Sequence, residues 1–253
     1  MAVCLKLEDV SKSFVKADSS GITDALQNIS LEMHDGEFIS IVGTSGCGKS
    51  TMLRLIAGLI TPTSGTLSVN GEKITKPDPD RGMVFQKPTL FPWMNVEKNI
   101  SFSLRMKKQL AGNEDKIDRM LKLIGLEEFR RDFPNQLSGG MAQRVALVRT
   151  LINEPEILLL DEPLGALDAF TRMNMQDEIL NMWREKRQLA VMVTHDVDEA
   201  IYMGTKVVVM DASPGRVKAE IPIKLDFPRV RSGEKFVEYR NQILDMLHFG
   251  AEK

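Results

Sequence analysis

Hydrophobic and polar positions change their rhythm along the chain. The early part is built from short runs, LKLEDVSKSF, ISLEM, EFISIV, TLSV and EKI. Their length and alternation predict strands. His34-Asp35-Gly36 and Asn70-Gly71 separate successive runs and predict tight turns that close antiparallel hairpins.

Two later runs, ILLL at 157–160 and LAVMV at 189–193, are continuously apolar, as expected of strands buried on both faces of a parallel sheet. Between them FTRMNMQDEILNMWREKR places Met175, Ile179, Met182 and Trp183 on one helical face. Strand, helix and strand therefore alternate, the mark of an α/β core. The basic cluster Arg184 to Arg187 reads as a solvated helix end that complements the dipole, not as a nucleic-acid patch.

From 88 to 155 the strand signals fade. Asn113 is positioned to cap a helix led by Glu114 and Asp115, with Ile117, Met120, Leu121 and Ile124 facing inward and Gly125 ending it. After Pro228, the spacing of Phe236, Tyr239, Ile243 and Met246 predicts a last amphipathic helix. The expected fold is α/β: a core with a parallel-strand sheet, an N-terminal antiparallel β region and an inserted helical lobe. Residues 1–87 and 156–225 form the core, 88–155 the lobe, and 226–253 a short extension with too little chain for a sensor domain.

Composition narrows the function classes. The 253 residues include 43% hydrophobic and 27% charged, ordinary for a globular protein, and the net charge of -2 supplies no overall field for nucleic acid or anionic lipid. The opening MAVCLKLEDV mixes charge into its apolar residues and does not read as a signal peptide. No run is long enough to span a bilayer. Cys4 and Cys47, the two cysteines, are spaced neither as a redox pair nor as a metal knuckle and read as reduced cytosolic thiols.

The chemistry is concentrated in a few stretches. GTSGCGKST comprises Gly43, Thr44, Ser45, Gly46, Cys47, Gly48, Lys49, Ser50 and Thr51. It follows a strand, precedes a helical run and fits the phosphate-loop pattern. Its glycines let backbone N–H groups approach phosphate, Lys49 neutralises the β and γ phosphates, and the Ser50 hydroxyl is a Mg²⁺ ligand. Asp161 and Glu162 close the strand ILLL; Asp161 is the candidate metal carboxylate and Glu162 the candidate general base. His195 ends LAVMV in VTHD, where a γ-phosphate contact competes with an ordinary structural role. LSGGMAQR places Ser138, Gly139 and Gly140 at a second helix start, and paired glycines weaken a helix unless its backbone must approach something closely.

In order along the chain, GTSGCGKST, Gln86 in VFQKP, LSGGMAQR, ILLLDEP, GALD and VTHD resemble the ATP-binding cassette, or ABC, ATPases over nearly the whole length. The resemblance implies ATP and Mg²⁺ as ligands, with Phe14 stacking on adenine. It makes Gln86 a residue that links metal or water to the transport partner, and His195 the γ-phosphate switch. It also implies that Ser138, Gly139 and Gly140 bind the γ-phosphate of ATP held by a second copy of the chain. Two positions depart from the family pattern: Met141 replaces a glutamine and Gly165 a serine. Neither removes a phosphate ligand, but turnover or crosstalk between sites could change.

Leu90, Phe91, Trp93 and Met94 lie among Pro88 and Pro92, an apolar segment on an irregular backbone. It is either folded back on the core or, as the resemblance implies, part of a groove for a helix of an integral membrane permease. LFPWMNV and FPRVR are similar to importers of nitrate, sulfonates and taurine. The expected system therefore has a permease, a periplasmic or extracytoplasmic solute-binding protein and two copies of this chain at the cytoplasmic face of the plasma membrane, with no nucleic acid. Two rivals remain: a non-transport ABC ATPase acting on nucleic acid, which usually carries a coiled-coil insertion or tandem cassettes, and a phosphate-loop kinase or regulatory module, which leaves LSGGMAQR unexplained.

Overall fold

The computed structural model describes residues 3–15 and 21–247. Two compact units emerge: Met1–Asp78 with Arg187–Lys253, and Pro79–Lys186. The first begins with β1 (Cys4–Val15), β2 (Ile22–His34), β3 (Phe38–Gly43), α1 (Lys49–Ile56), β4 (Ser64–Val69) and β5 (Glu72–Lys73). The second contains β6 (Arg81–Val84), α2 (Val96–Ile100), α3 (Phe102–Met106), α4 (Glu114–Leu123), α5 (Gly139–Leu151), β7 (Ile157–Asp161) and α6 (Ala169–Lys186). The chain then returns to the first with β8 (Leu189–Val193), α7 (Val197–Met203), β9 (Lys206–Asp211), β10 (Arg216–Pro222) and α8 (Glu234–Met246).

Within the first unit, β2, β1, β4 and β5 form an antiparallel sheet in that order. Its strands alternate as a sheet with one wet face must: Ile29, Leu31 and Met33 are buried while Ser30, Glu32 and His34 are exposed. β3 runs parallel to β8 and β9, and β10 joins β9 antiparallel. Every residue of β3 and β8 is buried, which explains why those runs are apolar without alternation. The expected α/β fold, with parallel strands and an N-terminal antiparallel region, is present.

One predicted hairpin is absent. The Asn70-Gly71 turn does join paired strands, β4 and β5, through Ser68↔Lys73 and Val69↔Glu72. The turn at His34 does not: β2 pairs with β1, and β3 with β8 and β9 in the other sheet. A strand buried on both faces takes parallel partners under helical cover, while its alternating predecessor needs a solvated face. The turn therefore carries the chain from one sheet to the other.

The second unit pairs β6 and β7 in parallel, from Arg81↔Ile157 to Val84↔Leu160. The helix predicted from Asn113 forms as α4, with Ile117, Leu121 and Ile124 buried and Met120 only partly so. The Asn113 side chain does not cap it. Instead its amide donates to Gln109 O at 2.7 Å. In α6, Met175, Ile179 and Trp183 are buried as expected, joined by Gln176 and Leu180.

The last predicted helix is α8, which buries Phe236 and Ile243, while the Tyr239 hydroxyl accepts the Lys224 N–H at 3.2 Å. Among the described residues no helix is long and apolar enough to cross a membrane.

Candidate functional site

The phosphate loop connects β3 to α1 in the first unit. A Cβ at Gly43 would lie 2.6 Å from Cys47 Sγ and 2.8 Å from Met210 O, and Gly48 has φ 86 with Ala25 O 2.5 Å from its missing Cβ. Side chains are excluded at both positions, by close approach at Gly43 and by left-handed backbone as well at Gly48. Cys47 is fully buried beneath the loop while Thr44, Ser45 and Gly46 are exposed at its apex.

Lys49 opens α1 and is 7% exposed. Its ammonium donates to Gly43 O at 2.7 Å and Thr44 O at 3.0 Å. A buried cation held by neutral carbonyls retains an uncompensated charge, so the loop is electrostatically prepared for an anion. Ser50 and Thr51 follow in the first turn, half-buried.

His195 lies just past β8 and is exposed. Thr194 N–H donates to Ile41 O at 3.1 Å, fastening the residue before it to β3. The Asp196 carboxylate accepts from Glu199 N–H at 3.1 Å and caps α7. A cavity of about 600 Å³ is lined by Gly43, Thr44 and Ser45 on one side and by His195, Asp196, Asp198 and Arg240 among others. The fold thus brings His195 and the phosphate loop to one cavity. Phe14, near the end of β1, does not line it; the residue is 41% exposed, with Lys12 Nζ 5.0 Å from its ring centroid.

In the second unit β7 is buried throughout, and Asp161 at its end is 3% exposed. Glu162 follows with a left-handed backbone, φ 46, a conformation that is costly for a side-chain-bearing residue and that concentrates at functional sites. Gln86 Nε2 donates to Glu162 Oε2 at 3.0 Å, joining two of the predicted catalytic residues.

The signature helix is α5, and Ser138 is its N-cap, with Oγ accepting the Met141 N–H at 3.2 Å. Met141 thus keeps the backbone function of its position. Gly140 approaches Leu167 and Ala166, whereas a Cβ at Gly139 would meet no atom within 4 Å. Gly165 lies 3.6 Å from Glu162 O by the same measure. Asp168 accepts the Thr171 N–H at 3.0 Å, and its bonds with Thr171 hold the carboxyl below its ordinary range.

Several supporting residues escaped the sequence reading. Gln143, in MAQR, is buried and donates to Phe85 O at 3.1 Å, fixing the backbone just before Gln86. Arg144 donates to Ile124 O, the last turn of α4; burial lowers its pKa, with Asp168 opposing. Asn99 holds the apolar segment: its Oδ1 accepts from Phe91 N–H at 2.8 Å and its amide donates to Phe91 O, Met94 O and Asn95 O. Around that anchor Phe91 stacks on Phe102 at 4.5 Å and on Trp93 at 5.6 Å, with the Arg149 guanidinium 5.4 Å from its ring centroid. Trp93 remains 70% exposed.

FPRVR has a local task. Arg229, 6% exposed, donates to the carbonyls of Ile201, Tyr202 and Gly204 at the end of α7. Burial pushes its pKa down to about 10. The only sequence signal for these residues is a polar side chain at an otherwise apolar spacing.

Known proteins place this geometry in a family. The ABC transporter family profile matches residues 26–165. The aliphatic sulfonates import ATP-binding protein SsuB of Bacillus cereus (strain ZK) is 42% identical, over 98% of this chain and 97% of that protein. The taurine import ATP-binding protein TauB of Jannaschia sp. (strain CCS1) is 42% identical, over 96% and 93%. The dimeric post-hydrolysis structure of the ATP-binding cassette MJ0796 bound to ADP and Pi is 34% identical, with a TM-score of 0.79 over 88% of this chain and 100% of that one. The fold, the closed phosphate loop and these near full-length likenesses agree: the chain belongs to the ABC transporter family, among its ATP-binding subunits.

Proposed function

We propose that this chain is the ATP-hydrolysing subunit of an importer for sulfonate-, taurine- or nitrate-type solutes, acting as a homodimer beneath a separate membrane permease that receives solute from an extracytoplasmic binding protein. The observation that carries this reading is the phosphate loop with Lys49 drawn onto its carbonyls, sharing a cavity with His195. The import role rests on the near full-length likeness to SsuB and TauB. The chain works at the cytoplasmic face of the membrane, where ATP is available.

Loop N–H groups and Lys49 bind the β and γ phosphates, His195 contacts the γ-phosphate, and Phe14 stacks on adenine. Ser50, Asp161 and Gln86 offer only oxygen donors, the set preferred by Mg²⁺. Mg²⁺ held by these residues would supply charge neutralisation on the phosphates. Glu162 takes a proton from the attacking water while Gln86 orients its carboxylate. Ser138, Gly139 and Gly140 close on ATP held by the partner copy; the empty surroundings of the Gly139 Cβ direction suit an approach from outside the chain.

Glu162→Gln tests the reading. It should leave ATP bound and slow single-turnover hydrolysis at least about a hundredfold, because a general base contributes of order 10² to 10⁴. Lys49→Ala should instead weaken nucleotide binding. Wild-type turnover in Glu162→Gln would remove the base from this mechanism. Normal taurine and alkanesulfonate uptake after deletion of the gene would remove the solute class.

A further inference from the structure

The exposed face of the antiparallel sheet gathers three metal-binding side chains. The β1–β2 register sets Cys4 opposite His34. Glu32, two residues before His34, projects to the same face because strand side chains alternate. Cys4 Sγ lies 3.9 Å and His34 Nε2 3.2 Å from the same oxygen, Glu32 Oε1, and the three donor atoms are all within 4.8 Å of one another.

These separations match one coordination sphere. Zinc bonds of about 2.3 Å to sulfur and 2.0–2.2 Å to nitrogen or oxygen, at tetrahedral angles, place sulfur and oxygen about 3.5 Å apart and nitrogen and oxygen about 3.4 Å apart. The two distances to Glu32 Oε1 need adjustments of less than about half an ångström, and the sulfur and nitrogen, within 4.8 Å of each other, close to about 3.6 Å in such a sphere, within reach of side-chain torsional changes. A solvated His–Glu pair alone accounts for two of the three groups, but it leaves unexplained a thiol turned onto the same oxygen.

The scaffold is fixed on both strands. Cys4 N–H donates to Asn70 Oδ1 at 2.8 Å and Cys4 O accepts from Asn70 N–H at 2.8 Å. Val3 N–H donates to Asp35 Oδ2 at 2.6 Å, and His34 N–H to Glu37 Oε2 at 2.7 Å. Donors carried on paired strands keep their geometry better than donors on loops. Lys6 stands across from Glu32 in the register and pairs with Glu8 at 3.1 Å.

The geometry points to a site for a thiophilic divalent cation of the zinc class, bound by Cys4 Sγ, Glu32 Oε1 and His34 Nε2 with a solvent oxygen as fourth ligand. On binding, the Cys4 S–H bond breaks, its proton passes to solvent, and a sulfur–metal bond forms, while neutral His34 and ionised Glu32 bind without further proton loss. The site is distinct from that of Mg²⁺, which does not favour thiolate or imidazole donors. It would clip the start of β1 to the end of β2, at the turn leading into β3 and the phosphate loop, and so stabilise the fold by mass action.

The test uses reduced, metal-stripped, nucleotide-free full-length protein titrated with Co²⁺ and then Zn²⁺ in excess Mg²⁺. One equivalent of Co²⁺ should produce thiolate charge-transfer absorption and the intense visible bands of four-coordinate cobalt, both removed by Zn²⁺. Zn²⁺ should also raise the Tm. Cys4→Ser should abolish the charge-transfer band. Cys4→Ser and His34→Ala should each weaken Zn²⁺ binding about tenfold or more and remove the Tm rise. Both positions lie on an accessible sheet face, so metal-free melting should change little and separates ligand loss from misfolding. Absence of the band from the wild type, or Zn²⁺ affinity and Tm rise unaltered in both variants, would overturn the site. Either result leaves the ATPase reading untouched.

Discussion

Gln86 donates its side-chain amide to Glu162 Oε2 at 3.0 Å, and the backbone before Gln86 is itself fixed by Gln143 of the signature helix at 3.1 Å. The candidate base is therefore joined, by two hydrogen bonds, to α5 and to the segment that carries Trp93. A donor on the carboxylate holds it in place, whereas a second carboxylate beside it would repel it. Gln86→Ala should therefore slow single-turnover hydrolysis about tenfold, the scale of one lost hydrogen bond to a charged group, and Gln86→Glu should slow it further. Rates equal to the wild type in both variants would show that this contact does not position the base.

The apolar segment separates into a structural and an exposed part. Phe91 packs on Phe102 and under Arg149, whereas Trp93 is 70% exposed. Trp93→Ser should shift stability by no more than about 0.5 kcal/mol, the range of ordinary surface changes, yet weaken co-purification with the permease. Phe91→Ser should cost about 2 kcal/mol or more as well, because it removes partly buried aromatic packing. Thermal melts and pull-down with the membrane subunit distinguish the two. Undiminished pull-down of Trp93→Ser would exclude this face as the docking surface.

How much of this was legible depended on sequence separation. The phosphate loop, the placement of Asp161 and Glu162 at a strand end, and the helix start at Ser138 were readable because each contiguous stretch contains its own strand, loop or helix context. Lys49 onto Gly43 and Thr44 is a contact of the same kind. Asn99, Gln143, Arg144 and Arg229 were not readable as supports, since each satisfies backbone carbonyls whose availability depends on the tertiary path. Cys4 and His34 likewise become neighbours only through the β1–β2 register. The misplaced hairpin at His34 has a related cause: a turn signal specifies a reversal, but the burial of the flanking strands decides which sheet each joins.

Arg240 on α8 forms a two-pronged pair with Asp198 in the first turn of α7, three residues after His195, and the pairing holds the guanidinium above its ordinary pKa. Both partners retain solvent contact, so screening limits the pair to about 1 kcal/mol. A double-mutant cycle on Arg240→Ala and Asp198→Ala, read by urea unfolding, should give a coupling of about 0.5–1.5 kcal/mol. Arg240→Lys should restore less than half of it, since an ammonium cannot reproduce the fork. Zero coupling would mean that α8 is held to α7 by its apolar contacts alone.

Ser138 already caps its own helix through Met141 N–H, while the direction a Gly139 Cβ would take meets no atom within 4 Å. If that opening receives ATP bound to a second copy, lesions in Lys49 and Ser138 should combine according to which chain carries each. Two tagged mixed dimers test this. A Lys49→Ala chain paired with a Ser138→Arg chain leaves one composite site whole, because the intact loop of the second faces the intact signature of the first. Both lesions then share the other site. A doubly substituted chain paired with wild type instead damages both sites, one through its loop and the other through its signature. ATP-dependent closure, read by cross-linking between the two copies, should therefore be partly kept in the first mixture and largely lost in the second. Cross-linking is the better readout because hydrolysis can require both sites at once. The opposite ranking would mean that each signature serves the phosphate loop of its own chain, and the open face of Gly139 would need another explanation.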